Sequence, residues 1–170
     1  FSGKVVLAAA WHHYLAGESS RFEPGFKDAL VYTLRYFEDR GNEVLIYLTI
    51  PELPDNPDIR CIALDEIIDP DANSRWLHGG DTCQELNTDY PMDIFNENRR
   101  VGLEALTALT AGIDGVRLID PMDTLCDGSV CRSTLEGRYI YQDINHLNFS
   151  GGQAFGRLIL KKQGNVLSDR

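Results

Sequence analysis

The chain has 170 residues, of which 43% are apolar and 25% are charged, values that are typical of a globular domain and exclude an intrinsically disordered one. Its formal net charge of -10 argues against binding to nucleic acid or to an anionic membrane surface, because both would repel it. No uninterrupted apolar stretch is long enough to span a bilayer. At this length we expect a single domain over residues 1–170.

The first half of the chain predicts a βαβ unit. Residues 5–10 form a short, continuously apolar run, which is typical of a strand covered on both faces of a parallel sheet. An amphipathic helix follows and ends near Gly41, with apolar side chains at helical spacing at Phe26, Leu30, Leu34 and Phe37. Residues 43–50 predict a second buried strand, which Pro51 ends.

The middle of the chain alternates irregular stretches with further elements. Residues 51–93 are rich in proline and indicate a long loop, with a short helix near residues 63–68. We predict a helix at residues 95–112, a third strand at residues 116–119 and an extended segment at residues 138–141.

The last helix is predicted to begin at Ser150, whose hydroxyl would cap it while the side chain of Gln153 bonds back to the backbone of Ser150.

The alternation of strands and helices predicts an α/β fold, a three-layer α/β/α sandwich around a parallel sheet. The sequence indicates about three strands, fewer than the ~4–6 of a typical sheet. Residue 4 already lies in what reads as an interior strand. We therefore expect one or more N-terminal strands of the domain to lie outside this chain.

The cysteines allow several arrangements. Four of them permit a complete disulfide set with three possible connectivities: Cys61, Cys83, Cys126 and Cys131. Cys126 and Cys131 flank a glycine-containing turn and could bridge locally, while Cys61 and Cys83 could close a longer loop. The alternative is four free thiols in a cytosolic protein. Cysteines in polar loops favour an oxidising compartment, and zinc is less favoured because the CxxC spacing is absent.

Asp143 and His146 lie three residues apart in a short polar stretch before the last helix. Asp143 can accept a hydrogen bond from one imidazole nitrogen of His146, which leaves the other nitrogen free to take a proton from a nucleophile. The alternative is that neither residue has a chemical role, with Asp143 a turn residue and His146 a solvent-exposed histidine. Because His146 should lie at the C-terminal edge of the sheet, where open α/β folds bind ligands, we predict that both residues are catalytic.

Trp11, His12 and Tyr14 directly follow the first strand and should lie at the same edge. Their rings could stack on a sugar, and Trp11 can also donate a hydrogen bond, so we predict that they bind substrate. The alternative is that Trp11 packs beneath the loop while the histidines are exposed. A metal site without a recognised ligand pattern is a less favoured interpretation of His12, His13, Asp143 and His146.

Asp120 and Asp123 follow the third strand, and Pro121 between them favours a rigid turn over a chemical role. No serine lies in a recognisable nucleophile turn. Residues 79–82 and 128–129 each contain a glycine and a hydroxyl residue, but neither segment follows a strand and leads into a helix.

Several features taken together carry a family resemblance. They are the order of elements, the strand that ends in Trp11, the pair Cys126 and Cys131, and above all the run Tyr141-x-Asp143-x-x-His146-Leu147. From residue 4 to about residue 160 the chain resembles the SGNH (GDSL-type) hydrolase superfamily. It is most similar to the SGNH domains fused behind the membrane domain of acyltransferase-family-3 proteins, which O-acetylate bacterial surface polysaccharides.

The resemblance implies a flavodoxin-like α/β/α fold and a Ser-His-Asp mechanism on O-acyl esters. Serine attacks the acyl donor, His146 acts as general base and then general acid, and Asp143 orients it. The Gly-Asp-Ser block is expected upstream of residue 1, so the chain alone would be inactive. The asparagine that often supplies an oxyanion donor would fall near residues 10–12, where this chain has Ala-Trp-His, and that role stays unassigned.

The function implied is transfer of an O-acyl group, most simply acetyl, to a bacterial cell-surface polysaccharide. Its partners would be an acyl donor, a glycan acceptor and an upstream segment of the same protein with the serine and a membrane domain. No cofactor and no metal are implied. The domain would lie in the periplasm or on the extracellular face of the membrane. The alternatives are a carbohydrate O-acetylesterase of the same fold, a catalytically inactive glycan-binding module, and a cytosolic metal-binding domain.

Overall fold

The computed structural model describes residues 3–15, 25–55, 89–136 and 138–163. Its elements in chain order are β1 (Lys4–Ala8), α1 (Trp11–Leu15), α2 (Phe26–Glu38), β2 (Glu43–Tyr47), β3 (Tyr90–Pro91), α3 (Asp93–Thr110), β4 (Val116–Ile119), α4 (Met122–Leu125), β5 (Val130–Cys131), β6 (Thr134–Leu135), β7 (Arg138–Tyr139) and α5 (Phe149–Gln163). Within these ranges, no helix has the length and apolar character needed to cross a membrane. Cys61, Cys83 and the helix predicted at residues 63–68 lie outside the described residues.

The chain forms two compact units. Unit 1 is Phe1–Thr49 with Asn96–Pro121, and unit 2 is Ile50–Phe95 with Met122–Arg170. Each unit is therefore built from two separate stretches of sequence. The expectation of one domain over residues 1–170 stays a prediction.

The sheet of unit 1 is parallel, with the strand order β1-β2-β4. Three successive side chains of the central strand β2, Val44, Leu45 and Ile46, are at most 1% exposed, as expected for a strand covered on both faces. Among the described strands β1 has one neighbour, and Val6 in it is 46% exposed. A parallel sheet with helices confirms the predicted α/β class.

The helices of unit 1 supply much of its core. Leu30 and Leu34 of α2 are buried, as their spacing predicts. After α2 ends at Glu38, Gly41 adopts a left-handed φ of 70°, which lets the chain turn into β2. The buried cluster comprises Trp11, Leu15, Leu30, Leu34, Val44, Ile46, Leu48, Leu106 and Ile113.

The described strands of unit 2 form short antiparallel pairs. Strand β3 pairs with β5, Tyr90 lying opposite Cys131, and β6 pairs with β7. Helix α5 runs for 15 residues and buries Ala154, Phe155 and Ile159.

Several predicted boundaries differ from the structure. The first two strands end at Ala8 and Tyr47, earlier than predicted, and residues 11–15 form a short helix. The prediction that Ser150 caps the last helix is wrong. The helix begins at Phe149, and Oδ1 of Asn148 accepts the backbone N–H of Gly151 at 2.6 Å, so Asn148 is the cap and Ser150 lies in the first turn.

Candidate active site

Side-chain hydrogen bonds join Asp143 and His146. Nδ1 of the imidazole lies 2.9 Å from Oδ1 and 2.8 Å from Oδ2 of the carboxylate. A neutral imidazole in this position donates its proton from Nδ1, which leaves Nε2 on the far side of the ring unprotonated and basic. The His146 side chain is 70% exposed, so an approaching hydroxyl can reach the ring. This is the geometry of a general base oriented by a carboxylate.

The carboxylate of Asp143 is itself held by the backbone of the loop. Its Oδ1 accepts the amide N–H of Asn145 at 2.9 Å and that of His146 at 2.8 Å. Partial burial raises the pKa of Asp143, but the bonds from these amides and from the imidazole outweigh it and hold that pKa below its usual value. The side chain is therefore ionised at neutral pH, the form that accepts all of these bonds.

The loop that carries the pair is closed at its base. Tyr141 and Leu147 form an isolated antiparallel bridge. Within it, the amide of Gln142 donates to the carbonyl of His146 at 2.8 Å. The backbone on both sides of Asp143 is thus fixed, so the carboxylate and the imidazole do not depend on each other alone for their positions.

Residues 51–53 hold the same loop from outside. The amide of Leu53 donates to the carbonyl of Ile144 at 2.7 Å. The buried hydroxyl of Tyr141 donates to the carbonyl of Pro51 at 2.9 Å. Burial raises the pKa of Tyr141, so this hydroxyl stays protonated and remains a donor.

Asn148 ties the end of the loop to helix α5. It is 3% exposed, and its Nδ2 donates to the carbonyls of Tyr139 and Tyr141 at 2.8 and 3.4 Å. Its own amide donates to the carbonyl of Ile140 at 2.9 Å, and its Oδ1 caps the helix at Gly151. One buried amide side chain therefore fixes the direction in which the chain leaves the candidate site.

Gly151 lets the first turn of α5 pack directly on the backbone before the loop. A Cβ at this position would overlap the carbonyl oxygen of Ile140 and would lie 2.7 Å from its Cα and 2.8 Å from its carbonyl carbon. The neighbouring Gly152 has open space at the same point. Only the first of these two glycines is required by close packing.

A family model described as "SGNH domain (fused to AT3 domains)" matches residues 2–161. The chain belongs to this family. Membership supports an esterase- or acyltransferase-type function, and the family's description gives AT3 domains as the fusion partners of its members. No curated protein and no solved structure matches the chain significantly.

The aromatic segment after β1 is largely buried in this SGNH domain. Trp11 is 4% exposed, packs in the core of unit 1, and donates from Nε1 to the carbonyl of Tyr47 at 2.6 Å. His12 is 7% exposed, and Tyr14 stacks on Phe26 with ring centroids 5.0 Å apart. The alternative interpretation of the sequence is a packed Trp11 with exposed histidines. Trp11 does pack in the core, but His12 is buried and not exposed. Substrate binding by Trp11, His12 and Tyr14 stays a prediction, and their burial gives it no support.

Cys126 and Cys131 form a disulfide, the local pairing that the sequence allowed. Between them the carboxylate of Asp127 accepts the amides of Val130 and Ser129, both at 3.2 Å, and the hydroxyl of Ser129 at 3.1 Å. The bonds from Val130 and then Ser129 lower the pKa of Asp127. The hydroxyl of Ser129 therefore donates a hydrogen bond within the loop closed by the disulfide. This agrees with the expectation that Ser129 is not placed as a nucleophile.

Asp120, at the end of β4, forms a salt bridge with Arg99 of α3. Nε and Nη2 of Arg99 lie 2.7 and 2.5 Å from its Oδ2. This contact supports the interpretation from the sequence that Asp120 has a structural and not a chemical role.

Sequence reasoning assigned no positioning role to three residues that hold the loop of the pair: Tyr141, Asn148 and Gly151. An asparagine just before an apolar helix start is as good a cap signal as serine and could have indicated Asn148. Nothing in the local pattern identifies the partner of Tyr141, because Pro51 lies 90 residues away.

Proposed function

We propose that this SGNH domain contributes the histidine and the aspartate of a Ser-His-Asp centre that transfers O-acyl groups, most simply acetyl, to a hydroxyl of an extracytoplasmic glycan. The observation that carries the proposal is the hydrogen-bonded pair of Asp143 and His146, with Nδ1 of the imidazole engaged by the carboxylate. Family membership supports acyl chemistry as the use of that pair.

In the proposed mechanism a serine from a segment outside the described residues supplies the nucleophile. Nε2 of His146 takes the serine proton as the oxygen attacks the acyl carbonyl, and then returns it to the leaving group, so that an acyl-serine ester forms. In the second step Nε2 takes the proton of a sugar hydroxyl. The new sugar ester forms as the bond to serine breaks, and the proton passes to the serine oxygen.

Strand β1 is at one edge of the sheet formed by the described strands of unit 1, which supports the proposal that a further strand brings the serine. Among the described strands β1 pairs on one side only, and Val6 is far more exposed than Leu45 of β2. A strand with one described neighbour is suited to accept another strand at its other edge, and the added segment could also cover the exposed side chain of Val6. We propose that an upstream segment of the same protein fills this position.

The disulfide between Cys126 and Cys131 supports an extracytoplasmic location. Such bonds persist in oxidising compartments and are rare in the cytosol. A domain carried by a membrane-anchored acyltransferase and facing the periplasm or the cell exterior meets this condition.

The test is acyl transfer by the full-length protein with His146→Ala and Asp143→Asn, assayed with purified, alkali-treated surface polysaccharide as acceptor. We expect His146→Ala to lower turnover by roughly 10³-fold or more, because no other group takes the proton. Asp143→Asn should also be strongly impaired, because an amide can stabilise the wrong imidazole tautomer. Asp39→Asn removes an exposed carboxylate of unit 1 and serves as the matched charge control, with unchanged turnover.

The same assay separates the alternatives. Release of acetate without any acceptor product would indicate an O-acetylesterase, in which water replaces the sugar hydroxyl. Unchanged turnover in His146→Ala, at a melting temperature equal to that of the parent, would rule out the proposed centre. A catalytically inactive binding module predicts no turnover by the parent protein and no effect of His146→Ala on glycan binding.

A further inference from the structure

A largely exposed aromatic side chain follows the candidate histidine by three positions in the chain. Phe149 is 76% exposed, which is the largest exposure of any large hydrophobic side chain in the described residues. It is the first residue of α5 and follows His146 by three positions. Three residues of fully extended chain span at most roughly 11 Å, so the Cα atoms of Phe149 and His146 are no further apart than that.

The backbone of Phe149 is held by the same contacts that fix the candidate site. Its neighbour Asn148 is buried and forms hydrogen bonds with Tyr139, Tyr141 and Gly151, and the same first turn of the helix packs on Ile140 through Gly151. The backbone positions of Phe149 and His146 relative to each other are therefore set by these contacts. An aromatic ring at a fixed distance from a reacting group can position a substrate.

We propose that Phe149 is the platform on which a sugar ring of the glycan stacks while a hydroxyl or ester of that glycan lies at His146. This inference depends on the proposed acyl chemistry of His146. Phenylalanine has no polar atom, so it recognises the apolar C–H face of a pyranose by burying it against the ring. It does not touch the reacting atoms and acts as a specificity-determining residue for the glycan.

A platform of this kind contributes to binding of the glycan and does not contribute to turnover of small substrates. An aryl acetate needs only the catalytic groups, so its hydrolysis does not involve Phe149. Turnover of the polysaccharide involves the ring in substrate binding, and its loss raises KM more than it lowers kcat.

The experiment uses the full-length protein and two substrates, 4-nitrophenyl acetate and the alkali-treated surface polysaccharide of the source cell as acetyl acceptor. The variants are Phe149→Ala, Phe149→Leu and Phe149→Trp. Leu160→Ala serves as the matched control, because Leu160 is a 50% exposed apolar residue of the same helix. His146→Ala is included to test the chemistry independently.

We expect Phe149→Ala and Phe149→Leu to raise the KM for the polysaccharide about five- to tenfold, the loss typical of one aromatic contact. Phe149→Trp should stay within about twofold of the parent, and Leu160→Ala should be unchanged. Hydrolysis of 4-nitrophenyl acetate should be equal in all four.

Three outcomes would overturn the inference. They are an unchanged polysaccharide KM in Phe149→Ala, an equal effect of Leu160→Ala, and a parallel loss of aryl acetate hydrolysis in Phe149→Ala with a lower melting temperature. The last outcome would indicate that Phe149 supports another part of the protein. If His146→Ala keeps full hydrolysis of 4-nitrophenyl acetate, the proposed function fails as well. If that variant is inactive and the Phe149 variants are normal, only the platform is wrong.

Discussion

The carboxylate of Asp143 serves both the loop backbone and the imidazole. Its Oδ1 accepts two amides while both oxygens face Nδ1 of His146. An asparagine here could keep the amide bonds through its own oxygen. Its NH₂ group, however, would donate toward the imidazole and favour the tautomer whose Nε2 carries the proton. Asp143→Asn is therefore expected to keep the fold of the loop and lose the base.

The ionised state of Asp143 also leads to a prediction about stability. Because hydrogen bonds hold the folded-state pKa below its usual value, the carboxylate stabilises the folded chain above about pH 4. That stabilisation is lost as the pH falls through the lowered pKa. We expect the free energy of unfolding of Asp143→Asn to fall less between pH 6 and pH 3 than that of the parent. Urea unfolding across this range measures it, and parallel curves for the two proteins would contradict the assignment.

At the scale of secondary-structure elements, the start of helix α5 is the feature that places the candidate loop. Asn148 caps the helix and binds carbonyls of the segment before the loop, and Gly151 packs on Ile140. The segment before the loop and the helix after it are thereby held together. Tight packing at this point transmits any shift of the helix to the residues between Tyr141 and Leu147.

The two adjacent glycines of α5 provide a matched test of this packing. Gly151→Ala should lower the free energy of unfolding by about 2 kcal/mol or more, because the methyl group meets backbone that cannot rotate away. Gly152→Ala has open space and should be neutral or stabilising by about 0.5–1 kcal/mol, since alanine favours a helix over glycine. Urea unfolding of both variants measures the difference. Equal effects would show that the close approach to Ile140 is not required.

At the scale of the whole molecule, the features that sequence predicts are those set by near neighbours. The apolar run of β2, the helical spacing of Leu30 and Leu34, and the Asp-x-x-His run all depend on residues a few positions apart. The cap was misplaced by two residues because asparagine and serine are equally good caps. Contacts such as that of Tyr141 with Pro51 join distant segments and leave no local pattern.

The disulfide of unit 2 gives a prediction for the stability of the chain. Cys126→Ser with Cys131→Ser should lower the free energy of unfolding by about 2 kcal/mol, because a loop with a sequence separation of 5 is no longer closed in the unfolded state. Ser129→Ala in the same turn is the control and should change it by no more than about 0.5 kcal/mol. Unfolding midpoints in urea give both values. A double variant as stable as its parent would mean that the bond does not form in solution.

The division of the chain into two discontinuous units sets an order of events during synthesis. All of unit 1 has left the ribosome once residue 121 has emerged, whereas unit 2 still lacks everything from Met122 onward. The hydrogen bonds of residues 51–53 to Tyr141 and Ile144 can therefore form only after that later stretch has been translated. Asp143 and His146 belong to that late stretch. The imidazole can acquire its oriented position only after His146 has been translated, so a chain interrupted between residues 121 and 143 contains all the residues of the parallel sheet and lacks the base.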